Sequence, residues 1–341
     1  MNRFAGLLFS VWVACGLMSP AAAADFYAGK TITMATHTGP GGGYDTYLRL
    51  LAAHFGKHIP GRPNFIVINQ PGAGGLRALN YAARIAAQDG TFLTLASQGI
   101  FLQEAIGGSG FQTSLRDFHW LGNFVQSNDV IATGENAVAK TYQDATRREV
   151  TLGTTGAAAV SGQLPLLFNA LAGTKFKLIR GYQDSGSMNV AMERGEIDGR
   201  GGNMWTSYKM TNPNEIRDGK LHVLVQLGVR REPDLPNVPT LMDLAKGDPK
   251  KERIALFATL AQQSPRALAA PPGVPADRVA LLRRAFDATM KDPAFLAAAK
   301  RLRLEIVPST GQEIEAAVLN ILTTPKDIVE ATKAVLAESP R

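Results

Sequence analysis

Cysteine is nearly absent: the chain has one, Cys15, and it lies in the apolar N-terminal stretch. Without that stretch no thiol remains, which excludes disulfides, thiolate catalysis and cysteine metal sites from the rest of the chain. Aromatic residues are sparse at 7%, and no basic run interleaved with aromatics occurs, so nucleic acid is a poor partner. Beyond the first two dozen residues no apolar run approaches the ~20 residues that cross a bilayer. Catalytic signatures are missing too. There is no GxxxxGK[ST] phosphate loop and no GxSxG elbow, and His54 and His58 (HFGKH) lack the glutamate of HExxH. No nucleophile–base pair, metal cluster or cofactor motif emerges, and the expected cofactor is none.

What is present is an exported, well-packed chain. Hydrophobic residues make up 45% of 341, with a mean hydropathy of −0.04, a globular composition long enough for about two domains. The N-terminus reads as a secretory signal: Arg3, the apolar Phe4 to Met18, a Ser19-Pro20 break, then Ala22-Ala23-Ala24 before Asp25. An uncleaved anchor is disfavoured because the apolar stretch is too short to span. A lipid-anchored form starting at Cys15 fits poorly, with Trp12 three residues before it. Export without cysteine suggests a bacterial periplasm. The basic excess of seven charges is compatible with a solvated surface or a weak attraction for anions.

Strand and helix patterns alternate. Thr31 to Thr36 is a β-branched strand; Tyr44, Leu48, Leu51 and Phe55 mark one face of a helix. Phe65 to Ile68 is a strand, Leu76 to Ala87 a helix, and Thr91 to Leu95 a third strand. A second run opens near Val130, with strands at Val150 to Gly153, Phe176 to Ile179 and Leu221 to Leu227, and helices at Ser161 to Leu171 and Met188 to Arg194. The three prolines of Pro233 to Thr240 mark a crossover, and helices dominate from Leu241 onward. This β-α-β order argues for parallel-rich sheets covered by helices.

Two glycine loops sit where a strand hands over to a helix: THTGPGGGYD (Thr36 to Asp45) and NQPGAGG (Asn69 to Gly75). Glycine lets backbone approach a ligand, and a helix start offers free N–H groups to an anion. Asn69 and Gln70 stand where a dinucleotide site needs an acid, which counts against NAD or nucleotide. Turn-making alone would explain one such loop; two on neighbouring strands favour ligand binding at the carboxyl ends of the strands. Asp45 caps the helix or ties down the first loop more readily than it serves as a base.

These loops, followed by QDGTFL, GEID (Gly195 to Asp198), DGKLHVLVQLGVRREPDLPNVPTL (Asp218 to Leu241) and APPGVPADRVALLRRAF (Ala270 to Phe286), resemble the substrate-binding proteins of tripartite tricarboxylate transporters, the Bug receptor family. The resemblance implies an α/β, type II periplasmic-binding-protein-like fold: two α/β domains joined by a hinge, with ligand in the cleft. The expected division is 1–24 signal, 25–128 domain 1, 129–230 domain 2, and 231–341 returning to domain 1. It implies a carboxylate ligand, delivery to membrane transporter subunits, a monomer, and no membrane insertion of the mature chain. Carried over, the ligand residues are Thr36, His37, Thr38, Gly41, Gly42 and Tyr44, then Ala73, Gly74 and Gly75, with Ser97 and Gln98 after the third strand.

Domain 2 departs from the family pattern. GTTGAAAVSGQL (Gly153 to Leu164) lacks a histidine, and GYQDSGS (Gly181 to Ser187) keeps Tyr182 but has no lysine. Candidates here are Thr155, Gly156, Ser161, Tyr182, Asn203 and Arg200. The last is expected at the end of a strand, where its fork would meet a second carboxylate; Trp205 is a weaker candidate. A periplasmic sensor with the same ligand binding is the alternative function, and an enzyme on this fold is disfavoured.

Overall fold

The computed structural model describes residues 26–264 and 266–337. The signal segment, its cleavage site and Cys15 lie outside the described residues. The chain runs β1 (Thr31–Thr36), α1 (Gly43–Phe55), β2 (Asn64–Asn69), α2 (Leu76–Arg84), β3 (Phe92–Leu95), α3 (Gly99–Ala105) and β4 (His119–Asn123). It then crosses to β5 (Asp129–Thr133), α4 (Tyr142–Arg147), β6 (Val150–Thr154), α5 (Val160–Ala172), β7 (Phe176–Arg180), α6 (Ser185–Glu193), β8 (Gly199–Met204), α7 (Trp205–Thr211), α8 (Pro213–Arg217) and β9 (His222–Leu227). The last third holds α9 (Leu241–Ala245), α10 (Pro249–Leu260), β10 (Ala267–Ala270), α11 (Ala276–Met290), α12 (Pro293–Arg301), β11 (Ser309–Thr310), α13 (Gly311–Leu322) and α14 (Lys326–Ala337).

Two sheets result, ordered β11-β4-β10-β3-β1-β2 and β7-β6-β8-β5-β9. Each has a parallel half, β2-β1-β3 and β7-β6-β8, built from the βα units that the sequence pattern announces. The antiparallel strands are those next to the crossings: β10 between β3 and β4, and β5 between β8 and β9. β3 (FLTL) is buried at every position, as expected of a strand covered on both faces.

On one face of the first sheet, Tyr47, Leu48, Leu51 and Phe55 of α1 pack with Leu282 and Phe286 of α11 and Phe295 of α12. On the other, α2, α3 and α13 bring Leu79, Phe101, Ile314 and Val318 against Trp120. Each such side chain contributes roughly 1.5–3 kcal/mol by leaving water. The last third divides between the sheets. β10, β11, α11, α12 and α13 serve the first, whereas Ile254 and Phe257 of α10 and Ile328 of α14 pack with Leu167 and Phe168 of α5 in the core of the second.

The crossings lie side by side. Glu232 Oε1 accepts from Asn128 N at 2.6 Å and Ser127 Oγ at 3.1 Å, and Asn128 Nδ2 donates to Gln226 Oε1 at 2.7 Å. One carboxylate thus ties both passages together and leaves a compact hinge.

Candidate functional site

The first glycine loop is held from below. Asp45 Oδ2 accepts from Gly41 N at 2.9 Å and Arg49 Nε at 2.8 Å, and its Oδ1 accepts from Asn69 Nδ2 at 2.9 Å. Burial alone would raise the Asp45 pKa; the bonds from Arg49, Gly41 and Asn69 outweigh it and hold the group ionised. Asn69 Nδ2 also donates to Thr38 O at 2.8 Å, so the loop after β1 is pinned to the end of β2. In the second loop Gly74 and Gly75 adopt φ of 64° and 108°, which a side chain resists. A Cβ on Gly75 would lie 2.4 Å from Ser97 Cβ, so the glycine lets this loop nest on the one after β3.

Between the sheets these loops face the starts of α5 and α6 across a cleft. Its inner chamber, about 70 Å³, is lined from the first half by His37, Thr38, Gly42, Gly43, Tyr44, Ser97 and Gln98. The second half contributes Asp129, Thr155, Ala159 to Ser161, Asp184, Ser185, Met188, Gly202 to Met204 and Ser207. An outer chamber of about 280 Å³ shares His37, Thr38 and Thr155 and adds Pro71, Gly72, Gly74, Gly75, Arg77, Tyr182 and Gln183. The halves touch beyond it: Gln163 Nε2 donates to Gly99 O at 3.0 Å, and Arg266 Nη2 to Ser207 Oγ at 2.6 Å.

Two helices of 13 residues, α1 and α5, begin at this cleft, and neither start carries a side-chain cap: the cap positions are Gly42 and Ala159. Elsewhere Thr141, Thr240 and Thr310 close capping boxes on α4, α9 and α13. Residues of both starts line the chamber, so first-turn N–H groups without a side-chain cap and the positive ends of the two dipoles lie at the cleft. Thr38 Oγ1 and Asn203 Nδ2 add polar atoms without protein partners.

His37 stacks edge-on against Tyr44, with ring centroids 4.3 Å apart, and its Nδ1 lies 3.4 Å from Leu95 O. Burial lowers its pKa to about 4, with Arg266 acting the same way against the Leu95 bond, so the ring is neutral at physiological pH. Asp129 is 2% exposed. Burial raises its carboxyl to about 7, against the pull of the Gln98 amide and Arg266. No group of His, Cys, Asp and Glu among the described residues is arranged to hold a metal ion.

Nine of the residues expected from sequence line the inner chamber: His37, Thr38, Gly42, Tyr44, Ser97, Gln98, Thr155, Ser161 and Asn203. Gly74, Gly75 and Tyr182 line the outer one. Thr36 is fully buried below the loop, and Gly41 and Ala73 shape their turns without reaching either chamber. A Cβ on Gly156 would sit 3.1 Å from Gly74 N, so this residue marks contact between the halves.

Arg200 requires a correction. β8 runs four residues past it to Met204, so it is the second residue of the strand, level with Gly153 of β6, and not at the strand end that reaches the cleft. It is fully buried, its guanidinium 3.7 Å from the Tyr208 ring centroid and its Nη2 3.4 Å from Asn212 Oδ1. Trp205 is a core residue, 4% exposed, donating to Asp234 Oδ2 at 3.1 Å. Sequence reasoning missed Asp129, Asp184, Met188 and Ser207; the Asp184-Ser185-Gly186 turn was the one local signal available.

A larger cavity, about 430 Å³, opens on the hinge side between Gln126 to Asn128 and Leu227 to Glu232. Of its four charged residues Glu232, Arg231 and Glu313 are engaged, with Asn128, Asp243 and Thr310 respectively, and Arg230 is exposed to solvent. It has no helix start of the α1 or α5 kind, so the interdomain cleft is the better candidate.

The family described as "Tripartite tricarboxylate transporter family receptor" matches residues 49–333. A UPF0065 protein of Agrobacterium vitis is 27% identical over 299 residues, covering 86% of this chain and 80% of the relative. A UPF0065 protein of Bordetella bronchiseptica is 26% identical over 290 residues, covering 83% and 79%. Among solved structures, the periplasmic binding protein BugD superposes with a TM-score of 0.70 at 20% identity, covering 91% of this chain and 98% of its own. MatC of Rhodopseudomonas palustris, solved with bound malate, gives 0.67 at 20% identity, covering 88% and 99%. An R. palustris protein solved with adipate gives 0.68 at 17%, covering 89% and 97%. These likenesses establish the periplasmic-binding-protein fold. The chain belongs to the tripartite tricarboxylate transporter receptor family.

Proposed function

We propose that this tripartite tricarboxylate transporter receptor captures a small organic carboxylate in the cleft between its sheets and delivers it, outside the cytoplasm, to membrane subunits of its transporter. The observation that carries the reading is the pair of uncapped 13-residue helices, α1 and α5, that begin on opposite walls of one polar chamber. Backbone N–H groups and helix dipoles favour an anion at such a start. Malate and adipate bound to the two R. palustris proteins of this fold lend the same support.

His37, Thr38, Gly42, Tyr44, Ser97 and Gln98 would hold the ligand from the first half, and Thr155, Ser161 and Asn203 from the second. The inner chamber of about 70 Å³ has room for only a few waters. Admission of a ligand therefore requires the halves to part about the hinge, and the closed form prevails because it binds better. Export is consistent with the N-terminal segment. No helix among the described residues is long and apolar enough to cross a membrane.

The test is a thermal-shift panel on receptor that has been unfolded and refolded to strip carried-over ligand. Mono-, di- and tricarboxylates, aromatic acids and acidic amino acids are compared with neutral amides of the same shapes. A true ligand at 100 times its Kd should stabilise the folded chain by about 2.7 kcal/mol, and its amide should not. Equal shifts from acids and amides would refute the carboxylate reading.

A further inference from the structure

In the inner chamber of the cleft the fixed charges are of one sign. Two carboxylates, Asp129 and Asp184, line the inner chamber, and no lysine or arginine does. Asp184 is partly exposed and its Oδ1 is committed to Ser187 N, at 2.8 Å, as the cap of α6. Asp129 is different: it is 98% shielded from solvent, and the pull of the Gln98 amide and of Arg266 does not offset that burial.

Two arginines lie near, and neither faces the chamber. Arg266 sits behind Gly43 and Ser207, its guanidinium carbon 4.7 and 4.5 Å from the ring centroids of Tyr44 and Tyr47. Arg200 stacks on Tyr208 from within β8, opposite Ala132 of β5, and does not line the chamber. The other titratable neighbours of Asp129 are Glu232, already bonded at the hinge, and Tyr44 and Tyr208, both kept neutral by burial.

A buried carboxylate without a close cation is costly, and a second carboxylate placed beside it raises that cost. A ligand ammonium removes it. At the same time α1 and α5 offer their starts to a carboxylate. We propose that the ligand is an amino-carboxylate, with the Asp129 carboxylate as counter-charge to its ammonium group and the two helix starts holding its carboxylate. The inference rests on the carboxylate-receptor reading above and narrows it.

Calorimetric titration of the refolded receptor with pairs differing by one amine tests it: aspartate against succinate, glutamate against glutarate, alanine against propionate. In at least one pair the amine-bearing member should bind ten times more tightly or better. Asp129→Asn should invert that preference, weakening the amine-bearing member at least tenfold while the deaminated member gains. In the parent protein, affinity for the amine-bearing member should fall from pH 8 to pH 6 as Asp129 takes up a proton, so the idea remains testable if the variant fails to fold. Tighter binding of the deaminated members, or no pH dependence, overturns the inference and leaves the receptor reading standing. Binding of no carboxylate at all overturns both.

Discussion

A Gly99→Ala receptor is expected to fold as the parent does and to bind its ligand at least a hundredfold more weakly. Gly99 opens α3, and a Cβ there would lie 2.2 Å from Ala158 O, 2.8 Å from Val160 N and 2.9 Å from Ala159 C. All three are backbone atoms of the opposite half, so no rotamer can relieve the clash. Within its own half the change is tolerated, since Gly99 is not among the glycines held at positive φ and alanine is the better helix former. The halves must then stop short of contact, and a ligand held by α1 loses the start of α5. A hundredfold loss corresponds to about 2.7 kcal/mol, a modest demand when one whole wall is withdrawn.

Gly39→Ala supplies the control. Its Cβ would lie 2.3 Å from Asp184 Oδ2, the end of a side chain that can swing aside, so a loss of only a few-fold is expected. Gly74 meets Ala158 and Ala159 as well, but its φ of 64° would mix backbone strain with the steric effect. Calorimetry and solution scattering with ligand present read the result: the Gly99 variant should retain a larger radius of gyration. Parent-like affinity in Gly99→Ala would show that this contact is no part of the ligand-bound state.

The same residues explain what was legible in the sequence. Glycine loops after β1 and β2 announce themselves through composition, and strand-to-helix order places them at the carboxyl edge of a sheet. His37, Thr38 and Ser97-Gln98 follow from connectivity alone. Arg200 failed because the sequence did not reveal that β8 continues to Met204; a strand end misjudged by four residues leaves the side chain inside the strand, packed on Tyr208 instead of lining the cleft. Asp129 was hidden for another reason. In SNDVIATG it reads as an ordinary residue at a strand edge, and it reaches the cleft only because β5 pairs antiparallel with both β8 and β9 just where the chain enters the second half. Such pairing is set by tertiary register, which local pattern does not encode. The helices of the last third were equally plain as helices, yet the choice of α10 and α14 for the second core depends on shape across the hinge.

Asp129 should also reveal itself in the unliganded protein as a source of instability that disappears in acid. Its carboxyl titrates near 7 in the fold against an ordinary 3.8, chiefly because burial penalises the charged form. A group whose folded-state pKa is raised in this way takes up a proton on folding, so its contribution is favourable at low pH and is eroded as pH rises from about 4 to 7. At one pKa unit per 1.36 kcal/mol the full erosion is on the order of a few kcal/mol. Asp129→Asn keeps the shape and removes the charge. Its melting temperature should exceed that of the parent by several degrees at pH 8, with the gap narrowing toward pH 5. Scanning calorimetry of both proteins, stripped of ligand, across that range decides the matter. Identical melting curves at pH 8 would mean that Asp129 is compensated in the fold, which would also remove the reason for a ligand cation. A stabilised variant that has lost its preference for amines would show the cleft bearing an electrostatic cost that its ligand relieves.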